Sequence, residues 1–491
     1  MPTATPDSRA IESLVTSLQG CDGDRTQAFD ALRCPVESQS GLIATITAGR
    51  RSLPITRQGK AGIVLNEDTR GLTRRTVLRG AATVGAVAGP LGVVGTAVSP
   101  ASAEPGATLP AATTDVTPFQ LSVPDSALRD LQRRLAAARF PERETVPDGS
   151  QGVPLERVRG LVEYWRTRYD WRRVEARLNG FGQFRTQIDG LGIHFLHVRS
   201  RHSSAIPVVL THGWPGSVVE FLNMIGPLTD PTAFGGSAAD AFHVVVPSLP
   251  GFGFSDKPAT TGWNIQRTAR AWAVLMSRLG YRRWLAQGGD LGGSVTHELA
   301  KLGPAGLAGI HLNFFPVFQP PVSDPPTPPE QEALDKLQRF FDDGAGFIYQ
   351  QSTRPQTVGY ALTDSPVGQA AWIYEKFMEW TDSDGNPERV LGVDRMLDDI
   401  MLYWLPGTAA SSARIYWEDA RAAGTADDFA VPVGFTVFPR EIIPTPRIWA
   451  ERVYKSKLVY FNTVARGGHF AAFEQPETLT EELRRFARLV R

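Results

Sequence analysis

Between residues 117 and 491 the spacing of apolar positions changes period several times, and each change marks an element. Leu128, Leu131 and Leu135 recur at helical spacing behind Asp125 and Ser126, either of which suits a cap. A helix is therefore expected there, after an extended lead-in at 119–123. A second helical stretch, 155–178, carries Tyr164, Trp165, Tyr169 and Trp171, read as packing residues. At 184–188 and 193–198 the period drops to two, with Asp189-Gly190 between them, which is a hairpin signal. Short apolar runs with little alternation follow at 207–210, 243–247, 284–286, 309–313, 434–438 and 458–461. Strands buried on both faces read this way, and helical patterns separate them, so the expected fold class is α/β. Between 313 and 431 the strand signal stops. A proline cluster at 316–329 leads there into aromatic-rich helical patterns from 331 to 422. Helices inserted at this point would lie over the carboxyl ends of the strands, where such sheets bind ligands, and are read as a lid.

Composition narrows the chemistry. The 51 basic and 51 acidic side chains cancel, which argues against nucleic acid as a partner. The only two cysteines, Cys21 and Cys34, precede all of these elements. The rest of the chain therefore has no disulfide, cysteine nucleophile or thiolate-bound zinc. The eight histidines are scattered, with His194 and His197 on opposite faces of one strand. No metal site is visible.

Ahead of the periodic region, Thr73-Arg74-Arg75-Thr76 leads into an uncharged Gly/Ala/Val run at 80–98, followed by Ala101-Ser102-Ala103. Paired arginines, a mildly apolar segment and a small-x-small end match a twin-arginine export signal over 71–103, cleaved after Ala103. The alternative is a membrane anchor at 80–98, against which its five glycines and Pro90 count. An exported, extracellular or cell-envelope protein with no lasting membrane association is expected. Residues 1–70 show little periodicity and read as a disordered or superfluous pre-region. No methionine separates Met1 from Met224, and a start near Val64 is expected.

The most informative segment is Gln287-Gly288-Gly289-Asp290-Leu291-Gly292-Gly293. A buried strand passes through small-x-Asp-x-small into a helix, the pattern of a nucleophile elbow with Asp290 in place of the commoner serine. Taken alone, Asp290 could equally cap a helix. Thr211-His212-Gly213-Trp214-Pro215-Gly216-Ser217 follows an earlier strand, where an oxyanion loop belongs. Trp214 and Leu291 are the candidate backbone donors, and His212 is read as shaping the loop. Glu441 ends one late strand and His469, between glycine and phenylalanine, follows another. Nucleophile, acid and histidine thus occur in the expected chain order. Glu474 is the competing acid. A carboxylate nucleophile attacks saturated carbon and leaves an alkyl-enzyme ester, which a histidine-activated water can cleave. Epoxides and alkyl halides fit this chemistry; esters do not.

These motifs resemble the microsomal-type epoxide hydrolase family. So do Leu362-Thr-Asp-Ser-Pro-Val-Gly368, Glu375-Lys-Phe377 and Arg466-Gly-Gly-His-Phe470. The resemblance implies an α/β-hydrolase fold with an inserted helical lid and an amino-terminal meander domain. The chain then divides into the meander (115–205), the first half of the core (206–315), the lid (316–430) and the second half of the core (431–491). It also implies hydrolysis of an apolar epoxide by water to a vicinal diol, with no cofactor. Carried over by position, Asp290 is the nucleophile, His469 the base and Glu441 the orienting acid. Two lid tyrosines hold the oxirane oxygen in this family. One matches Tyr416. The other position is occupied by Phe347, with Tyr349 two residues away as a possible substitute donor. A haloalkane or haloacid dehalogenase remains the alternative, although Leu291 stands where haloalkane dehalogenases usually carry a halide-holding tryptophan. A third reading is a catalytically lapsed binding protein.

Overall fold

The computed structural model describes residues 115–314, 320–424 and 428–491, together with the dipeptides Ile55–Thr56 and Val64–Leu65, which pair antiparallel. The rest of the pre-region and the whole export segment 71–103 lie outside the described residues.

Nine strands form one mixed sheet: β1 Thr117–Pro118, β2 Gln183–Ile188, β3 Leu191–Val198, β4 Ile206–Thr211, β5 Phe242–Pro247, β6 Trp284–Gly288, β7 Leu307–Leu312, β8 Val433–Val437 and β9 Leu458–Thr463. Their order is β9-β8-β7-β6-β4-β5-β3-β2-β1. From β5 to β9 every pairing is parallel, and β1, β2 and β3 extend the sheet antiparallel. Val208, Val209 and Leu210 are all fully buried. Successive strand residues point to opposite faces, so both faces of the centre are covered.

The fifteen α-helices of the described residues are numbered in chain order. Helices α1 Asp125–Ala136, α2 Leu155–Thr167 and α3 Trp171–Asn179 precede β2. Helix α1 starts one residue earlier than a cap at Asp125 requires and two earlier than a cap at Ser126. Pro124 holds the cap position, with no side-chain cap bond, and Asp125 stands in the first turn. The single helical stretch read at 155–178 is two helices, broken at 168–170, where the Asp170 side chain accepts from the Arg172 N–H and restarts the helix. Helices α4 Leu222–Thr229, α5 Ile265–Arg278 and α6 Asp290–Leu302 alternate with the central strands. Between β7 and β8 come the lid helices: α7 Pro328–Arg339, α8 Gly346–Thr353, α9 Pro355–Asp364, α10 Pro366–Trp380, α11 Val393–Trp404 and α12 Ala409–Asp419. Then α13 Arg447–Tyr454, α14 Ala471–Glu474 and α15 Pro476–Val490 complete the chain, α15 packing on α4.

Polar contacts tie the amino-terminal helices to the lid. The Tyr164 hydroxyl donates to Asp394 at 3.0 Å, Tyr169 to Asp398 at 2.8 Å, and the Arg173 guanidinium to both oxygens of Asp398. The Asp398 side chain is only 5% exposed. The Arg173 side chain, at 40% exposure, reaches it from the surface. The next residue, Asp399, faces the sheet and accepts from the Ser217 hydroxyl at 2.6 Å, while the Tyr403 hydroxyl donates to the Gly216 carbonyl at 2.7 Å. Helix α11 thus links the amino-terminal helices to the loop after β4.

Candidate active site

The sheet's central strands deliver the reactive groups to one edge. Strand β6 ends at Gly288, and Asp290 opens α6 with φ +54°, a left-handed value that a side chain rarely adopts. The turn closes tightly because its neighbours lack side chains. A Cβ on Gly292 would lie 2.0 Å from the Thr211 carbonyl oxygen, and one on Gly213 would lie 2.3 Å from Asp290 Oδ1. No flexible side chain could relieve the first clash. The glycines therefore let the end of β4 and its loop lie directly against the elbow.

That loop supplies a donor. The Trp214 N–H donates to Asp290 Oδ1 at 2.8 Å, and the Trp214–Pro215 peptide is cis. Leu291 follows Asp290 in the first turn of α6, where backbone N–H groups have no intrahelical acceptor. A hydrogen bond to a charged acceptor is worth about 1.5–3 kcal/mol. The helix amino terminus adds about 0.3–1 kcal/mol for a negative charge. His212 lies beneath the loop. Its Nε2 accepts from the Leu249 N–H at 3.2 Å and its Nδ1 meets the Gly213 carbonyl at 2.9 Å. Burial pushes its pKa down to about 4, so it serves as a neutral strut.

His469, in the loop after β9, stands between two acids. Its Nδ1 is 2.7 Å from Glu441 Oε1, and its Nε2 is 3.4 Å from Asp290 Oδ2. Glu441 also accepts from the Ile442 N–H through Oε1, while its buried Oε2 has no partner among the described residues. Burial alone would depress the imidazole. The Glu441 charge and the hydrogen bonds to both carboxylates outweigh it and hold His469 well above its usual pKa. Aromatic rings wall it in: Trp380 at 4.9 Å, Phe314 at 5.2 Å and Phe470 at 5.2 Å between centroids.

Glu474 does not touch His469. It accepts from the backbone N–H groups of Gly468 and Phe470, on either side of the histidine, and from that of Asp382 beyond α10. It ends the short helix α14, just ahead of Gln475 and the start of α15 at Pro476. Burial raises its pKa to about 7. Sequence reasoning offered Glu474 only as a rival acid, because its partners are backbone groups that carry no residue signature.

The lid contributes an aromatic wall above the elbow. Phe347 of α8 stacks on Trp214, with centroids 4.8 Å apart and planes 12° apart, and Tyr416 of α12 meets both rings edge-on at about 6 Å. The Tyr416 hydroxyl has no hydrogen bond among the described residues. Burial first, then the Asp290 charge, hold this phenol well above its usual pKa, which keeps it an O–H donor. Tyr349 is 54% exposed and is not brought to the site. At about 100° per residue, two positions turn its side chain away from the face that Phe347 presents. The second donor position thus holds a phenyl ring. Lys376, 2% exposed, sits 5.1 Å from the Phe347 centroid and 5.4 Å from that of Trp380, paired with Glu375 and Glu379.

Comparison with known proteins places this arrangement. Residues 116–221 match the family model for the epoxide hydrolase N terminus, and residues 206–370 that for the alpha/beta hydrolase fold. A provisionally named epoxide hydrolase of Stigmatella aurantiaca (strain DW4/3-1) is 63% identical, over 77% of this chain and 86% of that protein. Epoxide hydrolase 1 of Sus scrofa is 37% identical over 78% of this chain and 91% of its own length. The chain belongs to the microsomal-type epoxide hydrolase family. This epoxide hydrolase also superposes on the Aspergillus niger epoxide hydrolase structure with a TM-score of 0.68 and 33% identity, covering 77% of this chain and 98% of that one. Of the activities the sequence left open, epoxide hydrolysis is the one the family carries.

Two carboxylates raise the His469 imidazole, so removing one charge must lower it. In Asp290→Asn, the His469 titration followed by nitrogen-edited NMR is expected to move to lower pH than in the wild type. An unmoved titration would refute the coupling.

Proposed function

We propose that this epoxide hydrolase opens an apolar epoxide through an ester to Asp290 and hydrolyses that ester to a vicinal diol with a water activated by His469. The observation that carries the reading is the Glu441–His469–Asp290 contact series beside the Trp214 N–H. Asp290 Oδ1 is held by that N–H, which leaves Oδ2 to attack a ring carbon in line. As the oxirane C–O bond breaks, the Tyr416 hydroxyl donates to the developing alkoxide. Ester formation removes the Asp290 charge, one of the two that keep His469 protonated. The imidazole then loses acidity-opposing support, releases its proton to the alkoxide side, and becomes the base for water. The Trp214 and Leu291 N–H groups receive the oxyanion when water adds to the ester carbonyl. Trp214, Phe347, Trp372 and Trp380 form an aromatic surround, which favours an apolar substrate.

With an aryl or alkyl epoxide panel, Asp290→Ala is expected to give no diol. His469→Gln is expected to stop after one turnover, with the substrate's mass added to the protein. Diol formation by folded Asp290→Ala would overturn the reading. Phe347→Tyr restores a second phenol and is expected to speed ester formation by up to about 10²-fold, the factor carried by one oxyanion-type donor. A stopped-flow measurement of the first half-reaction decides this.

We also propose that residues 71–103 direct export. A reporter fused behind them is expected to reach the cell envelope or medium with Arg74 and Arg75 present and to stay inside when both are replaced by lysine. Equal export of the two fusions would refute the signal.

A further inference from the structure

One carboxyl group close to the nucleophile has no part in the chemistry above. Glu220 lies in a short turn after the Trp214 loop, between Val219 and Phe221, and is 9% exposed. Gly216 makes room for it, since a Cβ there would fall 1.5 Å from Glu220 Oε1. No cation among the described residues pairs with it. Instead it shares with Asp290 and His469 a cavity of about 20 Å³, whose wall also includes Gly213, Trp214 and Asn313. That volume suits one water, provided polar partners surround it, and the three side chains supply them.

Resting on the ester mechanism proposed above, we infer that Glu220 is a water-positioning residue that holds the hydrolytic water between its carboxyl group and His469. The water must approach the Asp290 carbonyl carbon from the side that faces His469, and the cavity borders both groups. Its oxygen bonds to Asp290 Cγ as one proton passes to His469 Nε2, while the other hydrogen stays on that oxygen and donates a hydrogen bond to Glu220. The carbonyl electron pair moves onto the oxygen held by the backbone N–H groups. When the pair returns, the ester C–O bond breaks and the departing diol oxygen takes the proton from His469. Asp290 is regenerated carrying the water's oxygen, and the hydrogen left on it passes to His469, which restores the carboxylate and the protonated imidazole.

The electrostatic setting fits an uncharged partner. Asp399 of α11, Asp290 and His469 are the titratable groups around Glu220, with neutral His212 beneath the same loop. Burial first, then the Asp399 charge, push the Glu220 carboxyl well above its usual pKa, against the opposing pull of His469. A neutral acid can orient water without competing with Asp290 for the imidazole.

The test separates the two half-reactions in the full-length enzyme, using quenched-flow intact mass to follow the ester formed with a styrene-type epoxide. Glu220→Met removes the polar group and Glu220→Asp withdraws it by one methylene. Both are expected to slow ester hydrolysis about tenfold or more, with ester formation within about twofold of wild type. Glu220→Gln keeps a neutral acceptor in place and is expected to stay within about threefold. Should the Met variant fail to fold, the Asp and Gln pair decides. Hydrolysis at the wild-type rate in the Asp variant, equal slowing of both half-reactions, or a Gln variant as slow as Asp would overturn the inference. If no ester appears even in His469→Gln, the underlying mechanism fails instead, a result distinct from any of these.

Discussion

The site depends on a turn that places Asp290 at a positive φ between a buried strand and the helix that follows. A left-handed residue other than glycine is strained by about 1–3 kcal/mol and persists only where its surroundings leave no alternative. Here the surroundings are backbone. The Thr211 and His212 carbonyls come too close for any side chain at Gly292, and a Cβ on Gly213 would meet the Asp290 side chain itself. Because the constraint comes from the central parallel strands, the most deeply buried part of the sheet, the carboxylate is set before any substrate arrives. The Trp214 N–H and the His469 imidazole then find it at fixed distances.

Electrostatics follow from that placement. Two carboxylates and one imidazole meet in a site walled by tryptophan and phenylalanine, where charge interactions are weakly screened. The histidine resolves the conflict between the acids by staying protonated, which in the proposed mechanism lasts until Asp290 is esterified. A site in open water would not couple the proton on His469 so closely to the state of Asp290. The aromatic lid therefore contributes to the chemistry by excluding solvent as well as by shaping a pocket.

Much of this was legible in the residues. The strands, the helical insertion and the chain order of Asp290, Glu441 and His469 follow from local period and from glycine placement, which short-range physics dictates. Glu441 could be preferred over Glu474 because it ends a strand. What escaped the sequence depends on approach in three dimensions. Pro124 takes the cap position because its fixed φ suits the helix start better than the neighbouring polar residues reveal. Tyr349 lies only two residues from Phe347 but on another side of the helix. Glu220, an acid in the apolar run Val218-Val-Glu-Phe221, gives no sign of the missing Cβ at Gly216 that admits its carboxyl group.

The adjacent acids Asp398 and Asp399 face opposite ways on helix α11, one toward Arg173 and Tyr169, the other toward Ser217. The amino-terminal helices and the oxyanion loop therefore share a rigid lever only one peptide bond wide. The groups proposed to react all belong to the later part of the chain, yet the loop that carries Trp214 is tied through α11 to the earlier part. In the proposed mechanism the amino-terminal helices are in this sense a structural element of catalysis, although none of their own residues performs the chemistry.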